Sequence, residues 1–75
     1  MGLWQVPVEL DGHRYVLVVD AVDSAAALEQ LRTDYRSVMP VTYRTERGTS
    51  LEIRWRKIAT VAIELDQVRP VGRVG

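Results

Sequence analysis

The stretch WQVPVELDGHRYVLVV, residues 4–19, decides the fold of this chain. Large apolar residues occupy every second position from Trp4 to Leu10, and this period of two is typical of a β-strand with one buried face. Asp11 and Gly12 follow at once, and they favour a type I′ turn, because that turn needs positive φ at both central residues. A two-residue loop fixes the register, so the sequence predicts a β-hairpin that sets Val8 opposite Tyr15.

The predicted register divides the side chains of this hairpin between two faces of a sheet. One face carries Trp4, Val6, Val8, Leu10, Tyr15, Leu17 and Val19. The other face carries Pro7, Val16 and Val18, and beyond them Glu9 lies opposite Arg14. Proline has no N–H to donate to a ladder, so we expect the first strand to lie at an edge of the sheet.

The segment after the hairpin predicts a single helix. Asp20 or Asp23 supplies an oxygen that can accept from the free amides of a first turn, and residues 25–32 are nearly all strong helix formers. An apolar stripe at spacings of three and four is formed by Ala27, Leu28, Leu31 and Tyr35. A narrow stripe of this kind suits a helix that lies on one face of a sheet.

Residues 41–65 predict three further strands, joined first by a short loop and then by a tight connection or one helical turn. A loop over residues 46–48 sets Tyr43 opposite Leu51. A loop over residues 47–49 keeps the same faces and changes the pairing, so the sequence leaves the register of this second hairpin open.

The predicted fold class is therefore α+β with the order ββαβββ, an antiparallel sheet with one helix packed on one face. A strongly curled small β-barrel with an inserted helix is the alternative. A chain of 75 residues has room for one core, and we expect a single domain over residues 1–65. Residues 66–75 lose the alternation and contain proline and glycine, so we expect a flexible C-terminal tail there.

Composition argues against most catalytic and metal chemistry. The chain has no cysteine and a single histidine, His13, without the sequence setting of a catalytic triad. Asp20 and Asp23 are better explained as acceptors at a helix start than as an acid–base pair. We therefore expect no enzyme activity, no cofactor, no metal and no small-molecule substrate. No apolar run is long enough to span a membrane, and we expect a cytoplasmic protein.

The balanced charge of the whole chain conceals two halves of opposite sign. Residues 1–40 contain three arginines and six acidic residues, and residues 41–75 contain seven basic and four acidic residues. We expect four or five of the basic residues to gather on one outer face, two of them on strand four and the others on the neighbouring strand, at the hairpin tip and in the connection. They are Arg44, Arg47, Arg54, Arg56 and Lys57. Such a cluster favours contact with phosphates, so a nucleic-acid-binding module is the alternative function.

The first hairpin favours a different function. An apolar contact surface is formed by Trp4, Pro7, Val16 and Val18 if the sheet is a single layer. Together with the lack of catalytic chemistry, this surface predicts a non-catalytic interaction module that binds a protein partner or associates with itself. The hairpin and the alanine-rich helix, residues 4–32, resemble small accessory proteins of bacteria and their phages.

Overall fold

The computed structural model describes residues 2–71, which form six strands and one α-helix. The strands are β1 Gly2–Leu10, β2 His13–Ala21, β3 Val41–Thr45, β4 Ser50–Ile53, β5 Val61–Ile63 and β6 Arg69–Pro70. The helix, α1, spans Ser24–Tyr35, and 3₁₀ turns span Trp55–Lys57 and Leu65–Gln67. All strand pairs are antiparallel, so the predicted α+β fold of one helix on an antiparallel sheet is confirmed.

The sheet is open and has the strand order β4-β3-β2-β1-β5, with β6 paired to β1 beside β5. β4 and β5 end the sheet, and within residues 2–71 they do not pair with each other. The connection between these two ends contains the 3₁₀ turn Trp55–Lys57. α1 packs on β1 and β2, and we call the face that it covers the inner face and the opposite one the outer face.

The first hairpin has the register that its Asp-Gly turn predicts. Val8 pairs with Tyr15, and the ladder continues without a bulge over all nine residues of β1. Asp11 and Gly12 have φ values of 49° and 86°, which is the left-handed conformation that both centres of a type I′ turn need. The chemistry of the turn thus sets the face of every residue in the two longest strands.

Pro7 corrects the expectation that β1 lies at an edge. β2 runs along one side of β1, and β5 and β6 run along the other. The ladder with β5 ends at Pro7: the Glu64 N–H donates to the Pro7 carbonyl at 3.1 Å, and proline has no N–H to return the bond. The chain then makes the 3₁₀ turn Leu65–Gln67 and pairs with β1 again at Gln5. β1 is therefore an interior strand, and Pro7 lies at the break between its two short neighbours, β5 and β6.

α1 begins at the second of the two predicted caps. The Asp23 carboxylate accepts from the Ala26 N–H at 2.8 Å, and a cap of this kind stabilises a helix by about 1 kcal/mol. Ala27 and Leu31 are buried in the same cluster as the inner residues of β1 and β2. The narrow stripe of α1 therefore closes the inner face of the sheet.

The core lies between α1 and the inner face. Its buried residues are Val6, Val8, Leu10, Leu17, Val19, Ala21, Ala27, Leu31, Tyr43, Ile53 and Trp55. In the two long strands, these are the residues that the alternation assigns to one face. Every buried side-chain nitrogen or oxygen of residues 2–71 has a hydrogen-bond partner, so the core holds no unpaired polar group there.

The second hairpin adopts one of the two registers that the sequence leaves open. Tyr43 pairs with Leu51, which corresponds to the loop over residues 46–48. Gly48 has a φ of 82°, and its N–H donates to the Thr45 carbonyl at 2.9 Å. Glycine suits this left-handed position because it has no Cβ to clash with the backbone.

The C-terminal part of the chain adds a strand that the sequence pattern does not contain. Of the expected tail, residues 66–75, β6 pairs with β1, and the Val71 N–H donates to the Leu3 carbonyl at 2.9 Å. Val68 is partly buried against the core. Residues 72–75 of the expected tail lie outside the described residues.

Candidate interaction surfaces

The outer face of the sheet forms a groove of about 460 Å³. Its floor comes from β1 and β2, one wall from the β3–β4 hairpin, and the other wall from Glu64, Gln67 and β6. We call it the sheet groove, and its defining residues are Gln5, Pro7, Arg14, Val16, Arg47 and Arg69. A concave surface of this volume falls in the range of ligand sites, about 300 to 1,000 Å³.

The floor of the sheet groove is apolar. Pro7 and Val16 are a cross-strand pair, and both are half-buried. Val18 follows on the same face of β2 and is half-buried, whereas its neighbours Leu17 and Val19 are buried in the core. Pro7, Val16 and Val18 therefore lie together on the outer face.

Trp4 does not belong to this surface, although the sequence analysis groups it there. It lies on the inner face of β1 and packs against the core, and its indole N–H donates to the Ala21 carbonyl at 3.2 Å. The alternation from the buried residues of β1 assigns position 4 to the inner face, and that signal is present in the sequence. Leu3, 45% exposed, occupies this end of the outer face instead.

Two polar contacts join the floor of the sheet groove to its C-terminal wall. Arg14 forms an ion pair with Glu64, and the Arg69 Nε donates to the Gln5 Oε1 at 3.3 Å. Sequence reasoning pairs Arg14 with Glu9, which is its neighbour in the ladder. It misses Glu64, which lies 50 residues away in the chain and carries no pattern that announces the contact.

The structure places the five basic residues in β3, in the loop that follows it and in the connection after β4. Arg44 lies on the outer face of β3, and Arg47 lies in the wall of the sheet groove. β4 ends at Ile53, so Arg56 lies in the 3₁₀ turn Trp55–Lys57 and not on a continuous fourth strand. A helical turn is one of the two connections that the sequence leaves open here, and it removes Arg56 from the strand face.

Most of these cations have no carboxylate partner. Arg54 lies 3.8 Å from Glu52, measured between Nε and Oε1. Four exposed cations have no carboxylate oxygen of residues 2–71 within 4.0 Å: Arg44, Arg47, Arg56 and Lys57. Acidic residues of the first half, such as Asp11 and Asp34, instead accept hydrogen bonds from the protein itself. Among residues 41–71, these four cations, Arg69 and the two acidic residues Glu46 and Asp66 lie outside ion pairs.

A second hollow, of about 310 Å³, lies beside β4 on the inner side of the sheet. We call it the β4 cleft, and its apolar lining consists of Leu10, Tyr15, Leu51, Ile53 and Ile58. Charged and polar residues also line it, namely Asp11, His13, Glu52, Arg54 and Lys57. Ile58 is partly buried against the core, as expected of a residue that covers this end of the sheet.

The aromatic side chains of the second half belong to the core. The Tyr43 hydroxyl donates to the Asp34 Oδ2 at 2.7 Å and accepts from the Trp55 Nε1 at 3.1 Å. Burial raises the pKa of the Tyr43 hydroxyl above its ordinary value, and its hydrogen bond to Asp34 raises this pKa further. The Tyr35 ring packs edge-on against Trp55, with ring centroids 5.8 Å apart. Tyr43 and Trp55 are therefore not presented for stacking on bases.

The single histidine lines the β4 cleft, where Asp11 and Glu52 also lie. His13 is exposed at the end of the first hairpin. Among residues 2–71, no three histidine, aspartate or glutamate side chains are placed so that they can share a metal ion. The helix of the described range is too short and too polar to cross a membrane.

The fold and these surfaces define a small α+β domain with an open antiparallel sheet and a groove on the face opposite its helix. No protein-family model, curated protein or solved structure matches the chain.

Proposed function

We propose that this chain is a non-catalytic protein-interaction module that binds its partner on the outer face of the sheet. The observation that carries the proposal is the sheet groove, where the pair Pro7 and Val16 lies between polar walls. An apolar centre within a polar rim is the common arrangement of protein–protein interfaces. Val18 extends the apolar centre along β2, and Leu3 lies at its end.

The walls of the groove suit a protein occupant as well as the floor does. Arg47 has no ion-pair partner in residues 2–71, so its guanidinium is available to carbonyl or carboxylate oxygens of a partner. Gln67 lies in the opposite wall and offers both a donor and an acceptor. Arginine is also among the residue types that are enriched at interfaces.

The partner is a second protein or a second copy of this chain. Opposite charge on the two halves favours association of copies, because cations of one can contact acidic side chains of another. A core of this size supplies only roughly 3–5 kcal/mol, so a bound partner would also stabilise the domain.

The setting of this function is part of the proposal. The chain lacks cysteine, which fits a reducing compartment, and we place its activity in the cytoplasm. A small domain without catalytic groups fits the role of an accessory protein of a bacterium or a phage, acting through the protein that it binds.

A matched pair of valine variants tests the proposal. Val16 lines the sheet groove, whereas Val22, 68% exposed, precedes α1 and lies outside the groove. If the parent chain associates with itself, as measured by light scattering, we expect Val16→Lys to abolish this association. If the parent chain instead retains a partner from lysate, we expect Val16→Lys to abolish capture of that partner. Val22→Lys should preserve that behaviour. A monomeric parent that retains no protein, or equal effects of the two variants, would reject the proposal.

Nucleic-acid binding is the second candidate function, and the unpaired cations favour it. Four cations are free to contact phosphates, namely Arg44, Arg47, Arg56 and Lys57. The fifth, Arg54, has its Nε 3.8 Å from the Glu52 Oε1. Since the aromatic residues Tyr43 and Trp55 are buried, such binding would depend on phosphate contacts alone.

Salt dependence tests this second candidate. Fluorescence anisotropy with labelled single-stranded and duplex DNA should give an affinity that falls steeply with salt. Replacing Arg44 and Arg47 by glutamate should reduce the slope of log affinity against log salt concentration. The reduction should be about one for each phosphate that the chain no longer binds. Arg32→Glu, on the exposed side of α1, is the matched control. No binding at low salt would reject nucleic-acid binding.

A further inference from the structure

We infer that Asp11 is a site of spontaneous isomerisation to isoaspartate, which the folded chain suppresses by holding the Asp11 carboxylate on residues 59 and 60. The reaction proceeds when this contact opens, and its product prevents the contact from closing again. Such a modification site goes beyond the proposed function, because it lies in the turn of the first hairpin and needs no partner.

The residues of the turn carry the groups that this reaction needs. Gly12 follows Asp11, and glycine has no side chain to shield its backbone nitrogen. That nitrogen attacks the side-chain carboxyl carbon of Asp11 and forms a succinimide ring. A carboxyl oxygen leaves as water, taking the amide hydrogen and a proton from the solvent. Water then opens the ring at the main-chain carbonyl of Asp11, and the chain continues through the former side-chain carboxyl carbon as isoaspartate.

Packing does not protect the reacting groups. Asp11 and Gly12 are both exposed, and a Cβ built at Gly12 would meet no atom within 4 Å. Water therefore reaches the turn, and no neighbouring side chain covers the Gly12 nitrogen. Any restraint on the reaction must come from the contacts of the carboxylate itself.

Hydrogen bonds supply that restraint. The Asp11 Oδ1 accepts from the Ala59 N–H at 3.0 Å, from the Thr60 N–H at 2.8 Å and from the Thr60 hydroxyl at 3.3 Å. The Asp11 N–H also donates to the Thr60 carbonyl at 3.0 Å. Ring closure needs the carboxyl carbon to approach the Gly12 nitrogen, and these donors must release the carboxylate first. The reaction therefore depends on opening of the connection between β4 and β5.

Isomerisation would change the turn that fixes the first hairpin. Isoaspartate adds a carbon atom to the main chain, and a two-residue turn of defined length sets the register of its strands. The former side-chain carboxyl carbon also becomes part of the main chain, so the amides of residues 59 and 60 lose their acceptor in its original position. The connection would then stay detached from the turn.

A comparison of the chain with its own fragment tests this site. The probe is a synthetic peptide of residues 1–14, which trypsin also releases from the chain, and Asp11 is its single aspartate. Both samples are incubated at neutral pH in H₂¹⁸O, and isoaspartate is quantified by chromatography and by uptake of ¹⁸O. We expect isomerisation to be about tenfold or more slower in the folded chain, because a minor open state holds about 10% of molecules or fewer.

Variants at position 59 separate the hydrogen bonds from other effects of the fold. Ala59→Pro removes one donor and should accelerate isomerisation about tenfold, because a hydrogen bond to a charged group is lost. Ala59→Gly retains the N–H and should stay within about twofold of the parent chain. Thermal unfolding monitors the fold of each variant. Thr60→Ala and Thr60→Ser form a second pair that differs only in the hydroxyl donor, and the alanine variant should isomerise faster.

Hydrogen exchange identifies the opening that releases the carboxylate. Isomerisation should follow exchange of the Thr60 N–H and not the slower exchange of the Leu17 N–H, which lies in the ladder opposite Val6. Val16→Lys should leave the rate unchanged, so failure of the proposed function is distinguishable from failure at Asp11.

Four results would overturn this inference. They are a peptide that does not isomerise, equal rates in the peptide and the folded chain, equal rates in the folded proline and glycine variants of Ala59, and isomerisation that follows exchange of the Leu17 N–H. The last result would mean that only global unfolding releases Asp11.

Discussion

The Asp11 carboxylate accepts two hydrogen bonds from Thr60, one from the backbone N–H at 2.8 Å and one from the hydroxyl at 3.3 Å. The Asp11 N–H in turn donates to the Thr60 carbonyl at 3.0 Å, and the carboxylate also accepts from the Ala59 N–H. The turn of the first hairpin thereby holds the connection that crosses between the two ends of the sheet.

Asp11→Ala should destabilise the domain by about 1–2 kcal/mol, because the amides of residues 59 and 60 lose a charged acceptor. Alanine also disfavours the left-handed φ that Asp11 adopts. Asp11→Asn is the matched variant, since asparagine tolerates this φ and retains one acceptor oxygen. Urea denaturation should place its stability between those of the parent and the alanine variant. Equal loss in both variants would contradict the role of the acceptor.

Tyr43→Phe should lower the free energy of unfolding by about 1–2 kcal/mol, because the buried Trp55 Nε1 loses its acceptor and Asp34 loses a donor. Tyr35→Phe is the control, since the Tyr35 side chain is 51% exposed and contacts Trp55 through its ring. It should change stability by less than about 0.5 kcal/mol. Similar losses in the two variants would show that the hydroxyl network is not the source of stability.

The same hydroxyl predicts a pH dependence. The pKa of Tyr43 is raised in the folded chain, so the folded state favours the neutral phenol more than the unfolded chain does. This contribution is fully present below the unfolded pKa of about 10 and is lost as the pH rises through the folded pKa. Urea denaturation at increasing pH above about 10 should therefore give falling stability, with a smaller fall in Tyr43→Phe. Parallel curves for the two chains would contradict it.

Gly48→Ala should destabilise the second hairpin by about 1 kcal/mol through its backbone alone. Gly48 has a φ of 82°, and a Cβ built there meets no atom within 4 Å. Gly2→Ala is the matched control, because a Cβ at Gly2 is equally free and its φ is not left-handed. Thermal unfolding should separate the two variants. A neutral Gly48→Ala would mean that the loop relaxes to another turn.

The sequence predicts those parts of the fold that depend on neighbouring residues. Asp11 and Gly12 determine a turn, the turn determines a register, and the register assigns each residue of β1 and β2 to a face. Asp23 likewise marks the start of α1 through a contact three residues away. These features are accessible because the interacting residues are close in the chain.

The surroundings of β1 could not be predicted in the same way. β6 has only two residues, so it carries no alternation, and its pairing depends on the break in the ladder that Pro7 imposes. Proline lacks the N–H that a ladder needs. That lack is compatible with an edge strand, and equally with a neighbouring strand that is interrupted opposite the proline. Only the three-dimensional path of residues 64–71 distinguishes these outcomes.

The candidate site was predictable in part. Alternation places Pro7, Val16 and Val18 on one face, whereas grouping Trp4 with them ignores the same alternation. The polar wall of the sheet groove includes the ion pair of Arg14 with Glu64. These two residues lie 50 positions apart in the sequence. No local pattern encodes such a contact, so the groove is visible only in the folded chain.

Methyl NMR of the valines shows whether a partner binds on the outer face of the sheet. The methyl signals of Val16 and Val18 are followed during titration with the captured partner, or during a concentration series if the chain associates with itself. We expect these signals to shift on binding, while the signal of the exposed Val22 stays in place. Binding that leaves Val16 and Val18 unchanged, with shifts confined to other valines, would contradict it.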